Sequence, residues 1–406
     1  MANWSFHTDR ESVIAEPHAR PPMPASPGDT LLHLGLGCTS EAQLALFALL
    51  GIDPELKNDR HWKKDYGRFG LKLEQHTEFM SITLLAANDG KSAELTDLLN
   101  RIAAVEGAEA ITLTRVEMAP EGTKPMPPAR AFGGTMRGGM AVFSTLTPDP
   151  AGFIVYHVHA RPGSPDETGR RVQRLIEMET YRTLCLLGLP LARRTGESLA
   201  GDERRLIEVV GAMGSESIEG DGTLFEHLSQ LLQKSNAMRA STRFRFSASL
   251  AYYNLVQQRL TSLEEEKLDD LQTISGFVRS RLEPSMATID STAARQRTLI
   301  DDLSQALSLL RTRIDLALNR DNQTVLKSLD ARNRKQVLIA QTVEGLSAVA
   351  ISYYAVGLLS YVLKAAAPHI WPGMPQTTLI AISVPIVVAA VWITLHRLRG
   401  RWEKGA

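Results

Sequence analysis

Hydrophobic and polar positions change their spacing along the chain, and each change predicts a different kind of structure. Residues 1–29 show no period; they are rich in proline, end in PPMPASPGD, and predict an extended, irregular N-terminal arm. From Thr30 to Pro162 short apolar runs alternate with amphipathic ones. TLLHLGLG, MSITLLA, AITLTRVEM, MAVFSTLT and GFIVYHVHA are short, partly β-branched and bounded by turn residues, so they predict strands. SEAQLALFALLGI and SAELTDLLNRIAAVEG predict helices, each opened by a serine able to cap the first turn. The mixture predicts an α/β (α+β) domain over residues 30–162.

Residues 163–342 change to helical spacing. ETGRRVQRLIEMETYRTLCLLGLPLARR predicts one amphipathic helix or a kinked pair, and helical pattern resumes after the Gly-rich break at Gly211–Gly222. Leu299, Leu303, Leu307, Leu310, Ile314 and Leu318 step by three or four and mark a helix-packing stripe. Pro284 predicts a restart or a kink. The region reads as a helical, coiled-coil-like stalk. Its stripe must pack either on the chain's own segments, such as Ala248–Leu263, or on a second subunit, and a homo-oligomer is the expectation.

Two apolar stretches close the chain, Leu346–Leu363 and Leu379–Leu395, each near the length that crosses ~30 Å of hydrocarbon as a helix. They predict a transmembrane hairpin over residues 343–396, with the lipid bilayer as partner. Arg332, Arg334 and Lys335 precede the first span, and Arg397, Arg399, Arg401 and Lys404 follow the second. The connecting segment holds one fixed positive charge, Lys364, so the positive-inside rule places both chain ends in the cytoplasm, including the basic tail 397–406. Pro385 is outweighed by its Leu, Ile and Val neighbours, each contributing about −0.3 to −0.6 kcal/mol to insertion. In the first span Gly345, Ala348, Ser352 and Ala355 form a small-residue seam suited to close helix packing, within or between subunits, or to a pore lining.

Composition narrows the classes. Lys and Arg together number 45 and so do Asp and Glu; this balance argues against a nucleic-acid binder working through a broadly basic surface. Cys38 and Cys185 stand alone, without a CxxC or Cys/His cluster, and predict free thiols. The first residues lack the basic start and apolar run of a secretory signal, which predicts that the polar part stays in the cytosol.

HTEF (His76–Phe79), VQRLIEMETYR, FRFSASLAYYNLVQQRL (Phe244–Leu260), LLRTRIDLAL, DNQTVLKSLDAR and TVEGLSAVAISYYAVGLLSY, with HARP at His18–Pro21, resemble the bacterial family called domain of unknown function 3422. The matches span nearly the whole chain. The resemblance implies a membrane-anchored protein, here in the bacterial inner (cytoplasmic) membrane, and supplies no activity, cofactor, protein partner or catalytic residue.

The candidate chemistry is local. HARP occurs twice, at His18–Pro21 and His159–Pro162. On extended backbone His18 and Arg20, or His159 and Arg161, share a face and could meet an anion. The alternative is a structural clamp by Arg20 and coincidence for the second copy. Glu74, His76 and Glu78 alternate, so on one strand they would point the same way and could hold a divalent metal. A solvent or interface face with cross-strand ion pairs is the competing account, and it applies equally to His157 and His159. AFGGTMRGGM (Ala131–Met140) lacks the Lys-Ser/Thr pair of a phosphate loop and predicts a flexible hairpin loop.

Three function classes follow. The leading one is a non-catalytic, membrane-anchored scaffold or ligand- and partner-sensing module. The second is an oligomeric divalent-cation channel, because the layout is similar to CorA-type magnesium channels. Those carry Gly-Met-Asn after the first span, whereas the loop here reads WPGMP with Pro375 in place of the Asn. The third is a membrane-tethered enzyme using His18, Arg20 or the Glu74/His76/Glu78 set.

Overall fold

A computed structural model describes residues 4–15, 21–53, 60–87, 93–161, 163–213, 220–370 and 375–402. The chain divides into two compact units, Met1–Ser308 and Leu309–Ala406. The first is mixed α/β. A short helix α1 (Arg10–Ala15) lies in the arm. It is followed by β1 (Thr30–Cys38), α2 (Ser40–Leu49), β2 (His61–Asp65), β3 (Phe69–Gln75), β4 (Met80–Ala86), α3 (Ala93–Ala103), β5 (Ala108–Met118), β6 (Phe132–Met136), β7 (Met140–Ser144) and β8 (Ile154–His159). Then come α4 (Pro165–Leu186), α5 (Gly188–Met213), α6 (Asp221–Leu263), β9 (Glu266–Lys267), α7 (Ile274–Ile370) and α8 (Gln376–Trp402).

The strands form one sheet in the order β2-β3-β4-β1-β5-β8-β7-β6-β9, antiparallel except for the β5–β8 pair. Its last strand comes from the turn between α6 and α7, far along the chain from the other eight. Strand alternation sorts the side chains. Leu32, Leu34 and Leu36 of β1, Leu71 and Leu73 of β3 and Ile82 and Leu84 of β4 meet α2 and α3 in one core. Leu31, Val116, Met118 and Tyr156 point to the opposite face and pack with Val172, Leu175 and Ile176 of α4.

Local chemistry fixes the boundaries. Thr39, not Ser40, caps α2, its hydroxyl accepting from the Ala42 amide at 3.2 Å. Ser92, expected to cap α3, lies outside the described residues. Of the two readings for residues 167–194, the pair of helices holds, divided at Leu187. Gly188 follows the break, where a Cβ would sit 2.4 Å from Ser249 Oγ of α6. The Gly-rich loop expected at 131–140 is instead a strand and a tight turn. Gly133 and Gly134 lie inside β6, where a Cβ would meet the Val142 and Glu266 carbonyls at 2.4 Å each. Glycine there allows the neighbouring strands to approach, and only Gly138 and Gly139 (φ +79° and +73°) form the turn. Nor does the helix restart at Pro284: α7 runs through it, and the Ser280 carbonyl that loses a donor sits on an exposed turn.

Helices α4, α5, α6 and the start of α7 pack beside the sheet. Ile274, Val278, Leu282, Met286 and Ile289 share a core with Phe246, Val256 and Leu260 of α6. Along the predicted stripe Leu299, Leu303 and Leu310 are buried, Leu307 and Ile314 are half-buried, and Leu318 is 56% exposed.

The second unit holds the rest of α7 and α8. Each contains a segment long and apolar enough to cross a membrane, with mean hydropathy 1.7 and 2.4. Leu346, Tyr353, Leu358, Tyr361, Ile386 and Trp392 point outward there, while Ser352 and Ser383 are buried. Residues 371–374 of the WPGMP loop and Lys404 lie outside the described residues.

Candidate functional site

The α4-facing side of the sheet is apolar around β5 and β8 and charged toward its β2 edge. Register explains the placement: Lys63, Lys72, Thr83, His33 and Thr114 form one row across β2, β3, β4, β1 and β5. The next row carries His61, Glu74, Ser81, Gly35 and Thr112. α4 lies over both rows. Lys72 is only 3% exposed, and its ammonium sits 3.2 Å from Glu74 Oε2 and 3.5 Å from Gln173 Oε1. His61 Nδ1 lies 3.4 Å from Glu74 Oε1. Gln173 donates to Glu177 at 2.9 Å, and Arg259 of α6 donates to the other Glu177 oxygen at 2.5 Å. A charge-alternating chain thus links the sheet to two helices, as buried charges require.

His33 stands beside this chain. Its Nδ1 is 2.9 Å from Thr83 Oγ1, and its buried Nε2 has no hydrogen-bond partner among the described residues. Burial lowers its pKa from 6.5 to about 4, with the Glu74 charge opposing. Burial pushes the Glu74 carboxyl upward, but Lys72, His76 and His61 together bring it below its usual value. His33 lines a void of about 30 Å³, room for one water, together with Lys72, Glu74, Gln173 and Met23 of the arm. Gly169 of α4 lets the arm approach, since a Cβ there would sit 2.0 Å from the Met23 carbonyl.

The predicted metal set is not assembled. β3 ends at Gln75, the His76 amide still donates to the Phe79 carbonyl across the hairpin at 2.9 Å, and the chain turns at Thr77 and Glu78, so the three side chains do not lie along one strand. The His76 ring stacks on Phe79 at 4.2 Å and its Nε2 lies 3.3 Å from Ser81 Oγ. Glu78 accepts from Arg245 of α6 at 2.8 Å and also bonds Tyr252, whose pKa rises to about 12, chiefly through burial. Among the described residues no group of three His, Cys, Asp or Glu side chains could hold a metal ion.

A second feature lies at the carboxyl ends of the parallel pair. β5 and β8 run side by side, Met118 level with Val158, and an open cleft of about 1020 Å³ sits beyond them. Crevices at the carboxyl ends of parallel strands are where α/β sheets bind ligands, although here only one pair is parallel. Glu117, Glu121, His157 and His159 supply its ionisable groups, and Pro120, Met126 and Pro127 form a wall. His157 Nδ1 lies 3.2 Å from a Glu117 oxygen. The His159 ring meets Phe143 edge-on at 5.9 Å, and its buried Nδ1 has no hydrogen-bond partner among the described residues. Burial lowers the His159 pKa and His157 adds to the effect, against a backbone bond at Thr123.

Of the expected anion pair, His159 lines this cleft and Arg161 does not. β8 ends at His159, and the Arg161 side chain lies over Gly139, its Nε 2.8 Å from where a Cβ would stand. His18 and Arg20 lie outside the described residues. Sequence reasoning found Glu74 but missed His33, Lys72, Gln173 and Glu177. His33 and Lys72 each alternate with leucines on their strands, a pattern that a solvent-facing sheet surface shares, so the sequence alone did not mark them as buried.

A family model described as protein of unknown function (DUF3422) matches residues 5–402. No curated protein matches the chain.

Proposed function

The chain belongs to the DUF3422 family, and we propose that it is a membrane-tethered, non-catalytic sensing module that binds a small amine-bearing ligand in the cleft beyond β5 and β8. The observation that carries this reading is the cleft itself. Its volume lies at the upper end of small-ligand sites, and its lining combines prolines and methionines with a few polar groups. The carboxyl groups of Glu117 and Glu121 and the ring nitrogens of His157 and His159 offer hydrogen-bond acceptors, and no Lys or Arg lines the cleft among the described residues, so the lining suits a ligand that donates protons and carries positive charge.

In this proposal the apolar segments of α7 and α8 are a two-span hairpin in the bacterial inner membrane, with both chain ends cytoplasmic. Their outward apolar side chains and the flanking basic residues support that arrangement. The module is a homo-oligomer, supported by Leu316, Leu318, Val325 and Leu326, which leave apolar surface exposed ahead of the first span.

A thermal-shift screen of primary amines and polyamines against the detergent-solubilised chain tests the site. A ligand at 100 times its Kd stabilises by about 2.7 kcal/mol. The shift should vanish in Glu117→Gln/Glu121→Gln. A flat screen, or a shift that survives the double variant, would remove the cleft as the sensing site.

A further inference from the structure

A groove separate from that cleft runs between α6 and the first turns of α7. The two helices form a hairpin joined by residues 264–273, and the side chain of Thr242 meets Gln296 at 3.2 Å, so the helices run antiparallel at that level. The groove encloses about 450 Å³. Its polarity changes along its length. Near the Thr242–Gln296 pair stand Arg239 and Arg243 of α6, one turn apart, and Arg297 of α7. Toward the hairpin turn the floor becomes Phe246, Met286 and Ile289, all buried, with half-exposed Leu250 at the rim.

Among the described residues none of the three arginines has a carboxylate partner; Arg297 donates only to the Ala293 carbonyl, at 3.3 Å. Three other guanidinium groups on these two helices are matched, in Arg295–Glu203, Arg245–Glu78 and Arg259–Glu177. The one carboxylate on the groove, Asp290, belongs to the apolar end. Three guanidinium groups at one end and a buried apolar floor at the other ask for a ligand with the same division.

We propose that this groove binds an anionic amphiphile, a carboxylate or phosphate head on a single hydrocarbon tail. The arginines take the head by two-pronged, charge-assisted hydrogen bonds, which a planar guanidinium provides and a lysine does not. The tail covers Phe246, Met286 and Ile289. From Arg239 to Leu250 the helix rises about 16 Å, the scale of an extended acyl chain rather than a short acid.

The test uses the full chain in nanodiscs of neutral lipid, with a diazirine-bearing palmitate as probe and labelled peptides mapped by mass spectrometry. The groove should label at or beside Phe246, Leu250, Met286 and Ile289. In Arg239→Gln/Arg243→Gln the groove label should fall about tenfold or more, given the loss of two charge-assisted contacts. Label in the segments 346–363 and 379–395 should be unchanged, which serves as the internal control for folding. Dodecyl phosphate should compete, showing the shared head chemistry, and a diazirine phosphatidic acid placed in the disc should label the groove only if bilayer lipid is the source. Absent groove label with both probes would overturn the proposal. So would label that survives the arginine substitutions, or competition that is equal for hexadecanol, for inorganic phosphate, or for an acidic peptide or RNA without an acyl tail.

Discussion

Acidification should weaken the first unit through His33, and the size of the effect follows from its burial. In the unfolded chain the imidazole titrates near 6.5; in the fold it stays neutral until about pH 4, because burial penalises the cation. The folded pKa is depressed, so on the acid side the unfolded chain binds a proton that the fold refuses. Stability is therefore full above pH 6.5 and is lost as pH falls from 6.5 toward 4. The complete loss is about 3 kcal/mol, of which about 2 kcal/mol is reached by pH 5. His33→Asn keeps a group able to bond Thr83 but removes the titration. Denaturant unfolding of the solubilised chain, followed by a probe of the first unit at pH 7.5 and pH 5, gives the comparison. The variant is less stable at both values, yet its loss between them should be smaller than the wild-type loss by about 2 kcal/mol. Glu74 adds acid sensitivity of the same sign through its own lowered pKa, but that contribution is present in both proteins and drops out. Parallel losses in the two proteins would refute the account.

Deleting residues 346–406 should release the chain from carbonate-washed membranes, since both segments apolar enough to span are then gone; a truncated chain that still pellets would refute a C-terminal anchor. A reporter after Ala406 should read cytoplasm and one at Pro372 the outside. Gly169→Ala should cost roughly 1–3 kcal/mol in thermal or denaturant unfolding, because its Cβ would sit 2.0 Å from the Met23 carbonyl and overpacking has that scale. Cross-linking of the intact chain in its membrane should trap dimers or larger species, and a strict monomer would remove the oligomer reading.

Five of the strands and helices α2 and α3 were legible because each keeps one apolar face in period, whereas the short helix α1 falls in the arm read as irregular. β4 reads MSITLLA with no charge in it, and the structure places a strand on those residues. β6 was illegible for the opposite reason. FGGTM holds two glycines, which count against a strand by propensity but are required by the Val142 and Glu266 carbonyls 2.4 Å from their missing Cβ atoms. The demand comes from neighbours that lie close in space and as far as residue 266 in sequence, so no local window contains it. The same holds for β9, a two-residue strand whose only signature is the edge it joins.

The candidate site shows where periodicity helps and where it misleads. Glu74, His76 and Glu78 line one strand only if the strand continues, and nothing in KLEQHTEFMS marks the turn at Thr77 and Glu78. Once the chain turns, each side chain finds a separate partner: Glu74 the buried Lys72, His76 the Phe79 ring, Glu78 the Arg245 guanidinium 167 residues away. Lys72 illustrates the converse. A lysine between two leucines on a strand reads as the solvent face of a half-buried sheet, yet α4 covers that face and leaves Lys72 buried. Whether the second face is wet is decided by a helix almost a hundred residues later. Its Gln173 and Glu177 are the groups that make burial of the lysine tolerable: Gln173 takes a hydrogen bond from it, and Glu177, tied to Gln173, balances the charge that Arg259 brings. The polar row and the polar stripe of α4 are thus two halves of one feature, and each half taken alone reads as ordinary surface.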